Sequence, residues 1–176
     1  MKTILVAGFG SFEQVINNPS ASIAEALDGC MYGDIQVVGR EMPVSYQRSI
    51  DVCSMWLEST GAVGVVGIGV AIQRTEVTVE RTGVQPKTDA REDIDGRTPA
   101  ASELDSPKIV QSTVDVERMA RSLGAIVGDE AGEYVCNAWL YQAVRRFDVP
   151  VAFIHVPPLG LDSGRLLTTI RDLWGE

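Results

Sequence analysis

Short continuous apolar runs alternate along this chain with stretches in which apolar residues recur every three or four positions, the signatures of buried strands and amphipathic helices. Thr3 to Ala7 is β-branched and apolar throughout, which predicts a buried strand, and Gly8, Gly10 and Pro19 punctuate the loop after it. Ser22 with Glu25 fits a capping box opening a short helix that buries Ile23 and Leu27. Ile35 to Val38 reads as the next strand. Between Ser45 and Glu58 the residues Tyr46, Ile50, Cys53 and Leu57 form a helical stripe, with Gly61 just past its end. Ala62 to Val70 is a third strand, glycine-rich where it finishes.

Thr75 to Val84 alternates instead. Val77 and Val79 fall on one face and Thr78 and Glu80 on the other, as in a half-exposed strand. Gln85 to Ser112 is polar and rich in Pro, Asp and Ser, and so long an irregular segment is expected to be disordered or a functional flap. Val114 to Leu123 predicts a helix and Ala125 to Val127 a brief strand. Glu133 to Phe147 is helical, with Trp139, Ala143 and Phe147 at compatible spacing, Val149 to Val156 is an intensely apolar strand, and Ser163 to Trp174 is a terminal helix. Strands and helices alternating in this way predict an α/β fold: a single-domain αβα sandwich over residues 1–176, with a mostly parallel central sheet covered on both faces. No internal repeat, low-complexity tract or linker interrupts it. Chemistry in such sheets collects near the carboxyl ends of the strands.

Composition narrows the function. With 176 residues, 45% of them hydrophobic, the chain supports one core. Against 15 Lys plus Arg stand 24 acidic residues, a net charge of -9 that repels polyanions, so nucleic acid and anionic membrane are not expected partners. The opening MKTILVAGFG reads as a strand rather than a signal peptide, and no run approaches the roughly 20 apolar residues that span a bilayer. Cys30, Cys53 and Cys136 are too widely spaced for a disulfide framework or a zinc pattern. A cytoplasmic protein without metal or cofactor is expected. His155 is the sole histidine, so any imidazole chemistry rests on it.

Three segments carry reactive side chains to the predicted strand ends. In Gly132-Glu133-Tyr134-Val135-Cys136-Asn137 a glycine-containing turn leads into a helix; a thiol in a first helical turn meets free N–H groups and the positive end of the dipole, which favour thiolate and suit an oxyanion. Beside Val135 and Ala138, the same cysteine also reads as a small core hydrophobe. In Phe153-Ile154-His155-Val156-Pro157-Pro158 a buried strand delivers an imidazole just before a double proline, poised to take a thiol proton near neutrality. Glu80 closes the alternating strand before Arg81. A carboxylate there is either a solvated end or the group that fixes an imidazole's tautomer, and Asp129, Glu130 and Glu133 are rival acids for that role.

Taken together the three segments resemble the pyroglutamyl-peptidase I family of cysteine peptidases, in which a glutamate in an E-R segment, a cysteine in A-G-x-x-x-C-N and a histidine in F-I-H-V-P occur in that order. Here they are Glu80-Arg81, Ala131-Gly132-Glu133-Tyr134-Val135-Cys136-Asn137 and Phe153-Ile154-His155-Val156-Pro157. Gly8-Phe9-Gly10-Ser11-Phe12, followed by Asn18-Pro19-Ser20, is similar to the family's G-F-x-x-F loop; Gly69-Val70-Ala71-Ile72-Gln73-Arg74 is similar to its G-x-A-x-G-R turn, and Asp89-Ala90-Arg91 to a D-A-R segment. The resemblance implies a phosphorylase/hydrolase-like α/β sandwich and a Cys136, His155 and Glu80 triad acting through an acyl-enzyme. It also implies a substrate site of Phe9, Phe12, Gly69, Ala71 and Arg91, with the phenylalanines on the pyroglutamyl ring and Arg91 aiding the oxyanion. The implied substrate is a peptide or small amide with an N-terminal pyroglutamyl residue, and self-association is common in the family.

The sequence departs from the family's pattern where Glu13 and Gln14 replace a glycine pair and Gln73 replaces the glycine of the arginine turn. These changes bear on the pocket more than on the triad. Two other functions therefore stay open at this point: a cysteine amidohydrolase acting on a different small N-blocked amide, and a catalytically idle binding or assembly protein. A dinucleotide fingerprint at Gly8-Phe9-Gly10 lacks its third glycine and its acidic partner.

Overall fold

A computed structural model describes residues 1–175; Glu176, the last residue of the expected domain, lies outside the described residues. The first apolar run becomes β1 (Lys2–Phe9), inside a seven-stranded sheet with β3 (Ile35–Met42) on one side and β4 (Val65–Val70) on the other, both parallel to it. The last apolar strand (Val151–Val156) pairs in parallel with β4. Beyond it lie β5 (Thr78–Glu80) and, at the edge, β8 (Ile126–Gly128); β2 (Met31–Tyr32) forms the opposite edge beside β3. The last apolar strand is β9, preceded in sequence by a separate antiparallel pair, β6 (Thr82–Val84) and β7 (Ile109–Gln111).

Alternation along the strands sorts side chains between two cores. Ile4, Val6, Val66, Ile68, Ala152 and Ile154 face α1 (Pro19–Leu27), α3 (Val116–Leu123) and α5 (Ser163–Trp174). Leu5, Ala7, Val65, Val151 and Phe153 face the other way, onto α2 (Arg48–Thr60) and α4 (Val135–Arg146), where Ile50, Cys53, Trp139 and Leu140 fill the second core. The expected sandwich is therefore present, and its period of two puts odd-numbered residues of β9, His155 among them, on the α4 side.

Two local readings need correction, and two others gain detail. Helix α1 starts at Pro19, because Asn18 rather than Ser22 caps it: the Asn18 side chain accepts from the Ser20 amide at 3.0 Å, and proline suits the first helical position. The alternating stretch is not one half-exposed strand. It breaks after Glu80, and Thr78, Val79 and Glu80 are all buried inside the sheet. Strand β5 also runs antiparallel to β9, with Thr78 opposite His155. Finally, the polar segment after Gln85 is an ordered strap that ends in β7. Buried Asp93 anchors it, accepting from the amides of Tyr46 (2.8 Å), Asp95 (2.9 Å) and Arg97 (3.0 Å), while the Tyr46 hydroxyl donates to the Arg91 carbonyl at 2.7 Å.

Candidate active site

His155 is the penultimate residue of β9, and Glu80 is the last of β5 on the adjacent strand. Since Thr78 is opposite His155 and side chains two apart share a face, Glu80 projects on the same side of the sheet as the imidazole. Glu80 Oε1 lies 2.8 Å from His155 Nδ1, with the glutamate wholly buried and the histidine 5% exposed. An ionised carboxylate only accepts, so Nδ1 donates and Nε2 remains free to take a proton. The rings of Phe153 (centroids 5.1 Å apart) and, behind it, Trp139 (5.6 Å from Phe153) hold the imidazole laterally. None of the rival acids reaches it: Asp129 pairs with Arg81 at 3.5 Å and Glu133 with Lys87 at 3.0 Å, and no hydrogen bond or salt bridge engages the Glu130 carboxylate among the described residues.

The same Glu80 oxygen accepts from Arg74 Nη1, while Arg74 Nη2 donates to the Glu130 carbonyl at 2.7 Å. This clamps the carboxylate between imidazole and guanidinium. Space for it comes from Gly128, opposite Glu80 in β8: a Cβ there would sit 2.7 Å from Glu80 Oε2.

Cys136 is the second residue of α4, two positions after the cap residue Tyr134. Gly132, at φ 85°, makes the left-handed turn that aims the chain into this helix. The sulfur lies over β4 next to β9, in a gap left by Gly69, which is paired with His155; a Cβ on Gly69 would come within 2.5 Å of Cys136 Sγ. The first-turn amide does favour the thiolate, as the sequence suggested, but burial acts more strongly. Desolvation, followed by the nearby Glu80 charge, pushes the thiol up to about 12, with the backbone hydrogen bond and Arg74 pulling the other way.

Cys136 and His155 both open onto a cavity of about 290 Å³ whose wall also includes Phe9, Phe12, Ala71 and Arg91. Gly69 is not on that wall; it is the space beneath the sulfur. Arg91 is exposed, its guanidinium 3.8 Å from the Tyr134 ring centroid and its Nη1 3.1 Å from Glu13 Oε1. Sequence reasoning passed over three residues here. Arg74 and Tyr134 stood inside quoted motifs without a role, and Tyr134 proves to be the hub that touches Phe12 and Tyr46 as well as Arg91. Glu13 was noted only as a replaced glycine. Its φ of 44° makes it the one non-glycine residue at positive φ among the described residues, the backbone trace of that replacement.

Comparison with known proteins points to one family. A family model described as pyroglutamyl peptidase matches residues 2–162. A pyrrolidone-carboxylate peptidase of Cupriavidus taiwanensis is 30% identical over 178 residues, covering 94% of this chain and 82% of that protein. The pyrrolidone carboxyl peptidase structure of Thermococcus litoralis superposes with a TM-score of 0.84 at 26% identity, over 97% of this chain and 90% of the other. The pyroglutamyl peptidase I structure of Bacillus amyloliquefaciens has the same fold, with a TM-score of 0.84 at 21% identity. The chain is a hydrolase of the cysteine-peptidase class. It belongs to the pyroglutamyl peptidase family.

Proposed function

We propose that this protein removes N-terminal pyroglutamyl residues from peptides, with Cys136 as nucleophile, His155 as general base and Glu80 as the carboxylate that orients it. The observation carrying this reading is the buried 2.8 Å contact from Glu80 to His155 on the cavity that also holds the Cys136 thiol. The thiol proton passes to the imidazole as the sulfur attacks. His155 Nε2 takes it as Sγ bonds to the exocyclic carbonyl carbon of the pyroglutamyl residue. The tetrahedral oxyanion meets amides at the start of α4, with the Arg91 charge on the same cavity. The imidazolium then protonates the departing amine as the C–N bond breaks, leaving a thioester. Water, deprotonated by His155, hydrolyses it and releases pyroglutamate.

Phe9 and Phe12 suit the uncharged lactam ring, whereas an ordinary ammonium terminus would lose its hydration there without a dedicated partner, since the two carboxylates on that wall, Glu13 and Glu133, are held by Arg91 and Lys87. The test is turnover of a pyroglutamyl chromogenic amide against its acetylalanyl counterpart. Preference for the pyroglutamyl amide is expected; equal or faster cleavage of the acetylalanyl amide would reassign the substrate.

Two finer features belong to this proposal. Its three cysteines are free, which favours a reducing compartment such as the cytoplasm, and no helix among the described residues is long and apolar enough to cross a membrane. Self-association is supported by exposed Met31 and Tyr32 on the edge strand β2, and light scattering would decide it.

A further inference from the structure

A second cavity, of about 670 Å³, adjoins the first. The two share Arg91, Gly132, Glu133 and Tyr134. At Gly132, which lines both, an added Cβ would meet nothing within 4 Å, so the space there is open. If Cys136 attacks the pyroglutamyl carbonyl, the peptide beyond the scissile bond has to leave the smaller cavity, and the larger one next to it has room for further residues.

Its charge is unbalanced. Lys87 and Arg91 are the cations on its wall, and both are already engaged, Lys87 by Glu133 at 3.0 Å and Arg91 by Glu13 at 3.1 Å. Asp89 and Glu130 are on the same wall, and among the described residues no hydrogen bond or salt bridge engages either carboxylate. A basic side chain entering this cavity gains the Glu130 carboxylate, shares Asp89 with the Lys87 ammonium it already attracts, and displaces no hydrogen-bonded pair. An acidic one meets like charge.

Resting on the function proposed above, we infer that the second cavity binds the residues that follow pyroglutamate and selects a basic residue over an acidic one. Exposed ion pairs each change binding by anything from nothing to about fivefold, so attraction to these carboxylates and repulsion of an acid together give roughly a tenfold preference.

The test compares kcat/KM for two peptides identical except for Lys or Glu directly after pyroglutamate, alongside a pyroglutamyl coumarin amide that has no further residue. Expected are cleavage of the amide and a Lys-over-Glu ratio of about ten, falling below about two in Asp89→Asn/Glu130→Gln and in molar salt. Amide cleavage with equal rates for the two peptides, or a ratio unchanged by the double substitution, overturns the subsite while leaving the peptidase reading intact. Failure to cleave the amide overturns the peptidase reading instead. In that event, binding of the same two peptides to Cys136→Ala by calorimetry still decides the subsite: tighter binding of the Lys peptide supports it, and equal affinity removes it.

Discussion

Glu80 Oε1 and His155 Nδ1 stand 2.8 Å apart on neighbouring strands that run in opposite directions. The reversal matters. With Thr78 opposite His155, the residue two further along β5 shares a face with the imidazole, and Arg74 closes on the same oxygen from the pocket side. The carboxylate is wholly buried, so charge and geometry at this point depend on those two partners.

Replacing Glu80 by Gln keeps the shape but removes the charge that stabilises an imidazolium, and the amide NH2 can turn toward Nδ1 and invert the tautomer. We expect kcat to fall about 10²- to 10⁴-fold with a folded circular dichroism spectrum. A loss of less than about threefold would mean that Glu80 does not serve the imidazole.

Two glycines are spaces for reactive atoms. Gly69→Ala places a methyl where Cys136 Sγ now sits 2.5 Å away, and Gly128→Ala places one 2.7 Å from Glu80 Oε2 and 2.6 Å from Thr78 Cγ2. Each variant is expected to lose activity mainly in kcat, and Gly69→Ala should also slow alkylation of Cys136 by iodoacetamide. Mass-mapped labelling and steady-state kinetics check both, and activity at the native level in either variant would contradict the packing described.

Alkaline stability follows from the buried thiol of Cys53 and the partly buried one of Cys136. Burial pushes Cys53 from its ordinary 9.0 up to about 12, and Cys136 is displaced the same way. The folded state thus holds these protons more tightly than the unfolded chain. Stability is unaffected by these groups below about pH 9 and falls as pH rises from there toward 12, by about 2 kcal/mol per thiol at about pH 10.5. Urea unfolding between about pH 8 and 10.5 should show this slope, shallower by one proton in Cys53→Ala. An identical slope in that variant would show that Cys53 is not the source.

Much of this architecture could be read from the chain because burial on two faces writes itself into strands such as Val149 to Val156, where no polar alternative competes. The misread parts are those whose burial comes from distant partners. Thr78 and Glu80 look like an exposed face until β9 and Arg74 cover them, and Asp93 looks like one more loop acid until three amides converge on it. For the site, motif order nominated Cys136, His155 and Glu80, whereas spacing alone left Asp129, Glu130 and Glu133 as rivals of Glu80. That choice rests on a strand reversal that spacing does not encode. Gly69 was nominated for substrate and instead makes room for sulfur, a packing relation invisible before the strands are paired.

The most direct measurement is hydrolysis of a pyroglutamyl reporter amide by the native chain and by Cys136→Ala, both in reductant. A nucleophilic Cys136 predicts turnover by the native chain and a loss of at least about 10³-fold in the alanine variant. Turnover that survives removal of this sulfur would contradict it.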